Sequence, residues 1–168
     1  MNQTPSPISF QTPLTCEEAC ERFVERMGEH MEMEGLPRIA GRLFGLLLVD
    51  PGPVSFSALA ERLAVSRGSV STNARLLEGM GLITRLSVEG ERQDYFRLAD
   101  KPFVNMIHGI AARMRETMTM IDEGCRDCGG PAINEGILAT RDFFAEAVAN
   151  LEHLATRLAE QCVREKSQ

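Results

Sequence analysis

Three features of the sequence predict a mainly α fold of winged helix-turn-helix type. Two short amphipathic helices follow one another across a break at Ala64 and Val65, and two strand-like runs then surround residues 88–92. Long helical periodicities lie before and after this segment. With 168 residues and 43% hydrophobic content, the chain has material for one compact domain with an elaboration. We therefore expect the short helices and the wing to be carried by long N- and C-terminal helices.

A first helix is predicted from Thr15 to Gly35. Thr15 and Glu18 have the spacing of a capping box, and apolar residues then recur at helical intervals. The opposite face carries four acidic residues, Glu17, Glu21, Glu25 and Glu29. We interpret this acidic face as solvated, and the alternative is a face that keeps nucleic acid away from that side.

A second helix is predicted from Pro37, which suits a first helical turn, to Val49, after which the proline-rich segment 50–53 ends it. Its apolar side chains are expected at the centre of the domain: Leu43, Phe44, Leu46, Leu47 and Val49. Gly41 and Gly45 lie on a common side, at a cost of about 1 kcal/mol each relative to alanine. That cost indicates that another backbone approaches this side closely.

The two short helices both have capped beginnings. Ser55 can cap a helix over residues 56–63, and Ser66 can cap the helix that follows. Both serines are also candidate DNA contacts. The inward face of the second short helix carries Val70, Ala74 and Leu77. Its outward face is expected to carry Arg67, Ser69, Ser71, Thr72, Asn73 and Arg75. These small or polar groups fit a DNA groove, because the first turns of such a helix contact base edges.

A two-stranded wing is predicted after Gly81, whose position suits the end of the second short helix. The strand-like runs are 82–86 and 95–98, so Arg92 lies at the tip between them. Arg92 is expected to reach a minor groove or its phosphates. The alternative is a structural ion pair with Asp94.

Two further arginines, Arg38 and Arg42, are one turn apart on the second helix and share a face. They could clamp a DNA phosphate. The alternative is pairing with wing carboxylates such as Glu91 or Asp94.

The charge is unevenly distributed along a chain whose net charge is −6. Residues 38–98 hold eight arginines and six acidic residues, a net charge of +2, whereas residues 1–37 have −5 and residues 99–168 have −3. Only the segment with the short helices and the wing is positive, as a DNA-contacting segment would be. Sixteen of the 18 basic residues are arginine, which suits phosphate and guanine contacts, although a high-GC genome would produce the same bias.

Several motifs together resemble the MarR superfamily, with the closest likeness to its GbsR-like branch. They are Arg38-Ile-Ala-Gly-Arg42, Gly45-Leu-Leu-Leu-Val49, Leu59-Ala-Glu-Arg-Leu63, Ser66-Arg-Gly-Ser-Val-Ser-Thr-Asn73, Leu82-Ile83, and Gly90-Glu-Arg92 with Tyr95-Phe96. The likeness spans residues 23–103, and the Ser-Arg-Gly-Ser-Val-Ser run is its most specific part. The resemblance implies a dimeric transcriptional regulator that binds double-stranded DNA.

Two long helices are expected after the wing, the first from residues 100–102 to a break over 124–136. The last helix has a heptad seam of Phe144, Val148, Leu151, Ala155 and Leu158, which continues to Cys162. A second apolar stripe beside it contains Phe143, Ala147, Leu154 and Val163. One helix cannot bury two stripes against a single neighbour, which predicts packing within the chain plus packing on a second subunit. We assign the heptad seam to the homodimer interface.

The five cysteines offer one motif of the metal or redox type, Cys125-Arg-Asp-Cys128. A four-cysteine zinc site needs a second pair, which Cys16 and Cys20 could supply. A thiol switch and an iron–sulfur site are further alternatives, and the simplest interpretation is a set of inert thiols. No cofactor is required by the sequence.

The sequence contains few motifs that would indicate other functional classes. The sequence contains no GxSxG motif, phosphate loop or HExxH spacing, so no catalytic residue is assigned and an enzyme is not expected. No apolar run approaches the roughly 18 residues that a membrane span needs, and residues 1–15 lack signal-peptide features, so we expect a cytoplasmic protein.

The effector of such a regulator stays open at this point. Quaternary ammonium ligands prefer aromatic cages, and this chain has no tryptophan and one tyrosine. An apolar effector could lie among Met114, Met118, Phe143 and Phe144, and the alternative is that these residues are core.

We therefore expect a sequence-specific regulator, a repressor acting as a homodimer on an inverted-repeat operator. The expected organisation is a flexible tail over residues 1–14, an N-terminal helix over 15–36, a winged helix-turn-helix domain over 37–99 and a helical dimerisation region over 100–168. We call residues 37–99 the reader domain. The alternatives are a thiol- or metal-responsive protein and a helical interaction module without DNA binding.

Overall fold

The computed structural model describes residues 15–50, 52–127 and 135–165, with side chains to residue 161. Six helices and three strands occupy these ranges. In chain order they are α1 (Cys16–Met33), α2 (Arg38–Val49), β1 (Val54–Ser55), α3 (Phe56–Arg62), α4 (Arg67–Gly79), β2 (Ile83–Ser87), β3 (Asp94–Leu98), α5 (Pro102–Asp127) and α6 (Glu135–Glu165). The predicted mainly α, winged helix-turn-helix fold is confirmed. No helix in the described ranges is long and apolar enough to cross a bilayer.

The helix beginnings follow the predicted caps. Thr15 and Glu18 form a reciprocal capping box at the start of α1. Ser55 accepts a hydrogen bond from the backbone N–H of Ala58, and Ser66 accepts one from that of Ser69. Because each cap satisfies an otherwise unpaired N–H group, the local sequence alone determines where these helices begin.

Three antiparallel strands form the sheet, in the order β1-β3-β2. The outer strand β1 was not predicted, and it pairs Val54 with Phe96 and Ser55 with Tyr95. On the other side, β2 pairs Arg85 with Phe96. The sheet therefore connects the wing to the beginning of α3.

The reader domain has a continuous apolar core. Its fully buried side chains are Leu43 and Leu47 of α2, Leu59 and Leu63 at α3, Val70 and Leu77 of α4, and Leu82 before β2. Phe44 and Leu46 are buried as predicted, and Val49 is half-buried. The expectation that α2 forms the centre of the domain is therefore confirmed.

Glycines bring α1 and α2 together. A Cβ atom added to Gly41 would lie 2.5 Å from the Met27 carbonyl oxygen and 2.8 Å from the Gly28 Cα atom. At Gly45 the nearest atom would be the Met27 Cβ, 3.0 Å away. The close backbone approach predicted at these two glycines is confirmed.

The α5–α6 hairpin is formed by two long antiparallel helices with a small core of their own. That core contains Val104, Ile107 and Ala155, with the partly buried Leu151, Leu154, Leu158 and Ala159 against it. Ion pairs join Arg115 to Glu152 and Arg141 to Asp122. The expected break at residue 124 is wrong, because α5 continues through Gly124 to Asp127. A single glycine costs a helix only about 1 kcal/mol, which is too little to end it.

One joint ties this hairpin to the end of α4. Gly81 has a φ of +71°, which favours glycine, and a Cβ atom there would lie 2.7 Å from the Asn105 Cβ. The Asn105 side chain donates a hydrogen bond from Nδ2 to the Gly81 carbonyl oxygen, at 3.0 Å. The start of α5 is thus seated directly on the turn that follows α4.

Candidate nucleic-acid interface

The N-terminal half of α4 presents the polar surface that was predicted for a DNA groove. Ser66, Arg67, Gly68, Thr72 and Arg75 are exposed, whereas Ser69 and Ser71 are half-buried. The opposite face of α4, with Val70, Ala74 and Leu77, is buried in the core. The helix is therefore held by its apolar face while its first two turns stay accessible.

Asn73 does not belong to this surface, and its predicted outward position is wrong. Only 6% of the residue is exposed, and its Nδ2 donates to the Ser69 carbonyl oxygen at 2.8 Å. Asn73 lies three residues after Val70 and four before Leu77, so helical geometry turns it towards the core. Its Oδ1 atom is buried without a hydrogen-bond partner among the described residues.

The arginines around α4 differ in how far their guanidinium groups are engaged. Arg75 donates from Nη2 to the Ser71 hydroxyl at 2.9 Å. Arg67 instead lies over the Phe56 ring, with its Cζ atom 4.7 Å from the ring centroid. Within the described part of the chain, no hydrogen bond or ion pair engages the Arg67 guanidinium. Arg67 therefore keeps its N–H donors available.

Arg38 and Arg42 have acidic partners that the sequence analysis did not consider. Arg42 donates from Nε to Glu25 at 2.6 Å and from Nη1 to the Leu63 carbonyl oxygen at 2.9 Å. Arg38 contacts Glu25 at 3.2 Å and Glu29 at 3.5 Å. Pairing with wing carboxylates is therefore wrong, since the close approach of α1 and α2 brings the α1 carboxylates within reach first. These ion pairs also mean that the acidic face of α1 is not wholly solvated.

Arg42 thus links three helices. Its side chain is 20% exposed, and the carbonyl that it binds belongs to the residue that caps the C-terminus of α3. Arg38 is more exposed, at 44%. The geometry gives Arg42 a structural role between α1, α2 and α3, and leaves part of Arg38 open to solvent.

The wing tip is exposed from Val88 to Arg92, with Gly90 at a φ of +85° in the turn. Asp94, the predicted alternative partner of Arg92, is paired with Arg85 instead. That hydrogen bond from Arg85 lowers the pKa of the Asp94 carboxyl. None of the ion pairs within the described ranges involves Arg92, so its charge is directed to solvent.

A second contact anchors the wing to α3. The Gln93 Oε1 atom accepts hydrogen bonds from the Ser57 hydroxyl at 2.6 Å and from the Ser57 backbone N–H at 3.2 Å. Ser55, which was predicted as a DNA contact, uses its hydroxyl to cap the same helix at 3.2 Å. Local sequence does not reveal the role of Gln93, because its partner lies 36 residues away in the chain.

The heptad seam of α6 faces its own chain, since two of its five positions are buried and Leu151 and Leu158 pack against the hairpin core. Val148 is 8% exposed and Ala155 is 1% exposed, so neither has surface left for a second subunit. Their assignment to the dimer interface is wrong, because the rotation of α6 turns these residues towards α5. Phe144, Leu151 and Leu158 are half-buried. The neighbouring Phe143 is 64% exposed, its ring 5.5 Å from that of Phe144.

The cysteine side chains that the structure describes lie in two places. Cys16 is exposed and Cys20 is half-buried at the start of α1, and Cys125 is half-buried near the end of α5. Partial burial, and then the neighbouring Cys16, raise the pKa of the Cys20 thiol, which disfavours its reactive thiolate. Cys128 lies outside the described residues. Across those residues no group of three or more His, Cys, Asp or Glu side chains could hold a metal, and the metal or thiol-switch hypothesis stays a prediction.

Comparison with known proteins decides the family. A MarR family model matches residues 34–93, which include the whole of α2, α3, α4 and β2. The HTH-type transcriptional regulator MmpR5 of Mycobacterium tuberculosis (strain ATCC 25618 / H37Rv) is 42% identical over 126 residues, covering 73% of this chain and 76% of that protein. The chain belongs to the MarR family.

Two further matches extend beyond the reader domain of this MarR-family chain. The putative HTH-type transcriptional regulator YvaV of Bacillus subtilis (strain 168) is 28% identical over 148 residues, 79% of this chain and 84% of that protein. A crystal structure described as a transcriptional regulator is 35% identical, with a TM-score of 0.68, over 89% of this chain and 99% of that one. As a MarR-family member with this fold, the chain is a DNA-binding transcriptional regulator. The finer likeness to the GbsR-like branch stays a prediction.

Proposed function

We propose that this MarR-family chain is a cytoplasmic repressor that binds an inverted-repeat operator as a homodimer. In this proposal residues 37–99 contact DNA, and residues 15–36 and 100–168 join the two subunits. The observation that carries the proposal is the accessible first half of α4, where the N–H donors of Arg67 are available, beside an exposed wing tip with Arg92. Repression follows most simply, since a dimer seated on an operator excludes polymerase from an overlapping promoter.

The contacts divide into base readers and phosphate contacts. We assign base readout to the exposed or half-buried side chains of the first turns of α4: Arg67, Ser69, Ser71, Thr72 and Arg75. Arg92 at the wing tip is assigned to a phosphate or minor-groove contact, with Arg38 as a weaker contact because α1 carboxylates partly neutralise it. Asn73 and Arg42 are withdrawn from the interface, since their polar groups are engaged inside the protein.

The surface proposed for the second subunit is marked by exposed apolar side chains. Among the described residues, the exposed large hydrophobic side chains other than Val88 of the wing lie on α1, α5 and α6: Phe23, Met33, Phe103, Met120, Ile137, Leu138 and Phe143. Such a concentration on the three helices outside the reader core supports an interface there. Phe143 replaces Val148 and Ala155 as the proposed contact.

Dimerisation and recognition form one mechanism in this proposal. A single short helix contacts too few bases to select one site in a genome, so two copies of α4 are needed. Two copies must lie about 34 Å apart to enter successive major grooves. The operator should therefore be an inverted repeat whose half-sites are about one turn of DNA apart.

Selection from random DNA, followed by footprinting of the selected sequence, tests this function directly. The expected result is an inverted repeat protected over two adjacent major grooves. A single asymmetric half-site would contradict the dimeric mode of binding, and failure to select any sequence would contradict specific recognition. Transcription in vitro from a promoter that overlaps the selected sequence should fall when protein is added, and a rise would contradict repression.

The subunit interface is tested by Phe143→Asp, with Val88→Asp as the matched control. Both side chains are exposed hydrophobic residues of one chain, but only Phe143 lies on the proposed interface. Sedimentation should show monomers for Phe143→Asp and dimers for Val88→Asp, with unchanged helical content in both. A dimeric Phe143→Asp protein would exclude this part of α6 from the interface.

A further inference from the structure

A chain of three side chains connects the wing sheet to the first residue of α4. The Arg67 guanidinium lies over the Phe56 ring at 4.7 Å, and the Phe56 ring lies 6.3 Å from that of Phe96, tilted by 46°. Phe96 belongs to β3, the central strand of the sheet. The stack therefore contains one residue from each of three elements, α4, α3 and β3.

The middle ring of this stack is held firmly. Phe56 is the first residue of α3, directly after the Ser55 cap, and it packs against the reader core. Phe96 is 3% exposed and its backbone pairs with both Val54 and Arg85. The Phe56 ring face is thus a fixed platform rather than a mobile side chain.

Arg67 gains orientation from this platform without losing donors. Stacking on an aromatic face fixes the plane of a guanidinium while its N–H groups, which lie in that plane, stay free to bind. Two other arginines near α4 are instead tied by their donors, Arg75 to Ser71 and Arg85 to Asp94. A long side chain that is already oriented loses less conformational entropy when it binds.

We propose that Phe56 is a positioning residue that presents Arg67 to a guanine of each half-site, an inference that rests on the proposed function. Arg67 is the first residue of the recognition helix, the part of this motif that meets base edges. Guanine offers O6 and N7 to a planar fork in the major groove, and such a contact depends on the orientation of the guanidinium plane. A phosphate can accept a bidentate contact from several directions, whereas the guanine edge accepts it only in the plane of the base, so a fixed guanidinium plane favours base recognition.

The experiment measures binding of the full-length protein to the selected operator and to operators with each base pair replaced in turn. Arg67→Lys keeps the charge but loses the planar fork. It should reduce discrimination at one guanine per half-site by at least about fivefold, with an unchanged salt slope. Phe56→Leu should reduce discrimination at the same guanine, and Phe56→Tyr, which keeps the ring face, should not.

A double-mutant comparison separates positioning from a general structural effect. If Phe56 acts through Arg67, Phe56→Leu should cause no further loss of discrimination at that guanine in an Arg67→Ala background. Thermal unfolding of each variant, followed by circular dichroism, shows whether it is folded at the binding temperature. Should Phe56→Leu be unfolded there, Phe56→Met replaces it as a ring-free side chain of similar bulk.

Each outcome decides between distinct conclusions. A uniform loss of affinity for all sequences in Arg67→Lys would make Arg67 a phosphate contact and would overturn the inference. The inference would also be overturned if Phe56→Tyr lost as much guanine discrimination as Phe56→Leu. An undiminished effect of Phe56→Leu in the Arg67→Ala background would overturn it as well. If the unmodified protein selects no sequence at all, the proposed function fails instead.

Discussion

The reader domain and the α5–α6 hairpin differ in how completely a single chain buries their apolar side chains. The reader domain encloses seven fully buried large side chains, Leu43, Leu47, Leu59, Leu63, Val70, Leu77 and Leu82, from four consecutive regions of the chain. The hairpin has a core cluster of three buried residues and leaves Phe103, Met120, Leu138 and Phe143 exposed. The comparison indicates that the reader domain is complete within one chain, and it supports the proposal that a second subunit covers the hairpin.

The largest expected effect on stability comes from truncating a buried side chain in the core of the reader domain. Leu43→Ala removes a side chain that is 0% exposed, and should destabilise the protein by about 2 to 5 kcal/mol. The matched change Leu138→Ala in the hairpin should alter the stability of an isolated chain by no more than about 0.5 kcal/mol. Chemical denaturation at several protein concentrations separates the two effects, because only a loss of stability that arises at the subunit interface depends on protein concentration. A large loss of stability in Leu138→Ala that does not depend on concentration would contradict the proposed difference between the reader domain and the hairpin.

Two glycines should respond with opposite signs to the same change. Gly41→Ala places a methyl group 2.5 Å from the Met27 carbonyl oxygen, so α1 must move, at a cost of about 1 to 3 kcal/mol. Gly124 lies within α5 with nothing within 4 Å of the added atom, so Gly124→Ala should stabilise by about 0.5 to 1 kcal/mol. Thermal unfolding measures both changes. Equal effects would mean that the α1–α2 contact is looser than these distances indicate.

Arg42 and Arg38 offer a finer test within the same pair of helices. Arg42→Ala leaves the carbonyl oxygen of the buried Leu63, at the end of α3, without its donor and should cost about 1 to 3 kcal/mol. Arg38→Ala removes an exposed ion pair and should cost less than about 1 kcal/mol. Denaturant midpoints should therefore fall clearly in the first variant and only slightly in the second. The reverse order would assign the main link between α1 and α2 to Arg38.

The smallest expected effect is at the wing and does not concern stability. Arg92→Ala should weaken binding to all DNA sequences alike and reduce the salt slope by about one unit. Arg85→Ala removes the same charge from an arginine already paired with Asp94, and should change the slope less. Binding titrations over a range of salt concentrations measure both slopes. If the slope is unchanged in Arg92→Ala, the wing tip does not reach the phosphates.

The parts of this fold that sequence predicted well are those determined by neighbouring residues. The caps at Thr15, Ser55 and Ser66 use partners three residues away. The close approach at Gly41 was predictable because glycine is costly in a helix. The strand β1 was missed because two residues are too few to show a period.

The features that sequence did not predict depend on how elements are rotated and placed. Asn73 lies at the edge of the buried face of α4, where a small rotation decides between core and solvent. On α6, two adjacent stripes are equally apolar, and only packing on α5 selects the one with Val148 and Ala155. Arg38 and Arg42 have acidic partners on α1 because α1 and α2 lie close together, and spacing along the chain does not show that proximity. In the candidate site, the stack of Arg67 on Phe56 joins residues that no local spacing relates.

The joint between Gly81 and Asn105 has a mechanical consequence for the distant end of the hairpin. The helix α5 has 26 residues, begins three residues before Asn105 and is about 39 Å long, so this joint would be its pivot in any rotation of the hairpin. A rotation of about 10° at that pivot moves the far end of α5 by roughly 7 Å, which follows from the length of the helix alone. Conversely, a displacement of several ångströms imposed at the far end turns the pivot by only a few degrees. A movement of the far end of α5 would therefore reach the turn beside the recognition helix as a much smaller displacement.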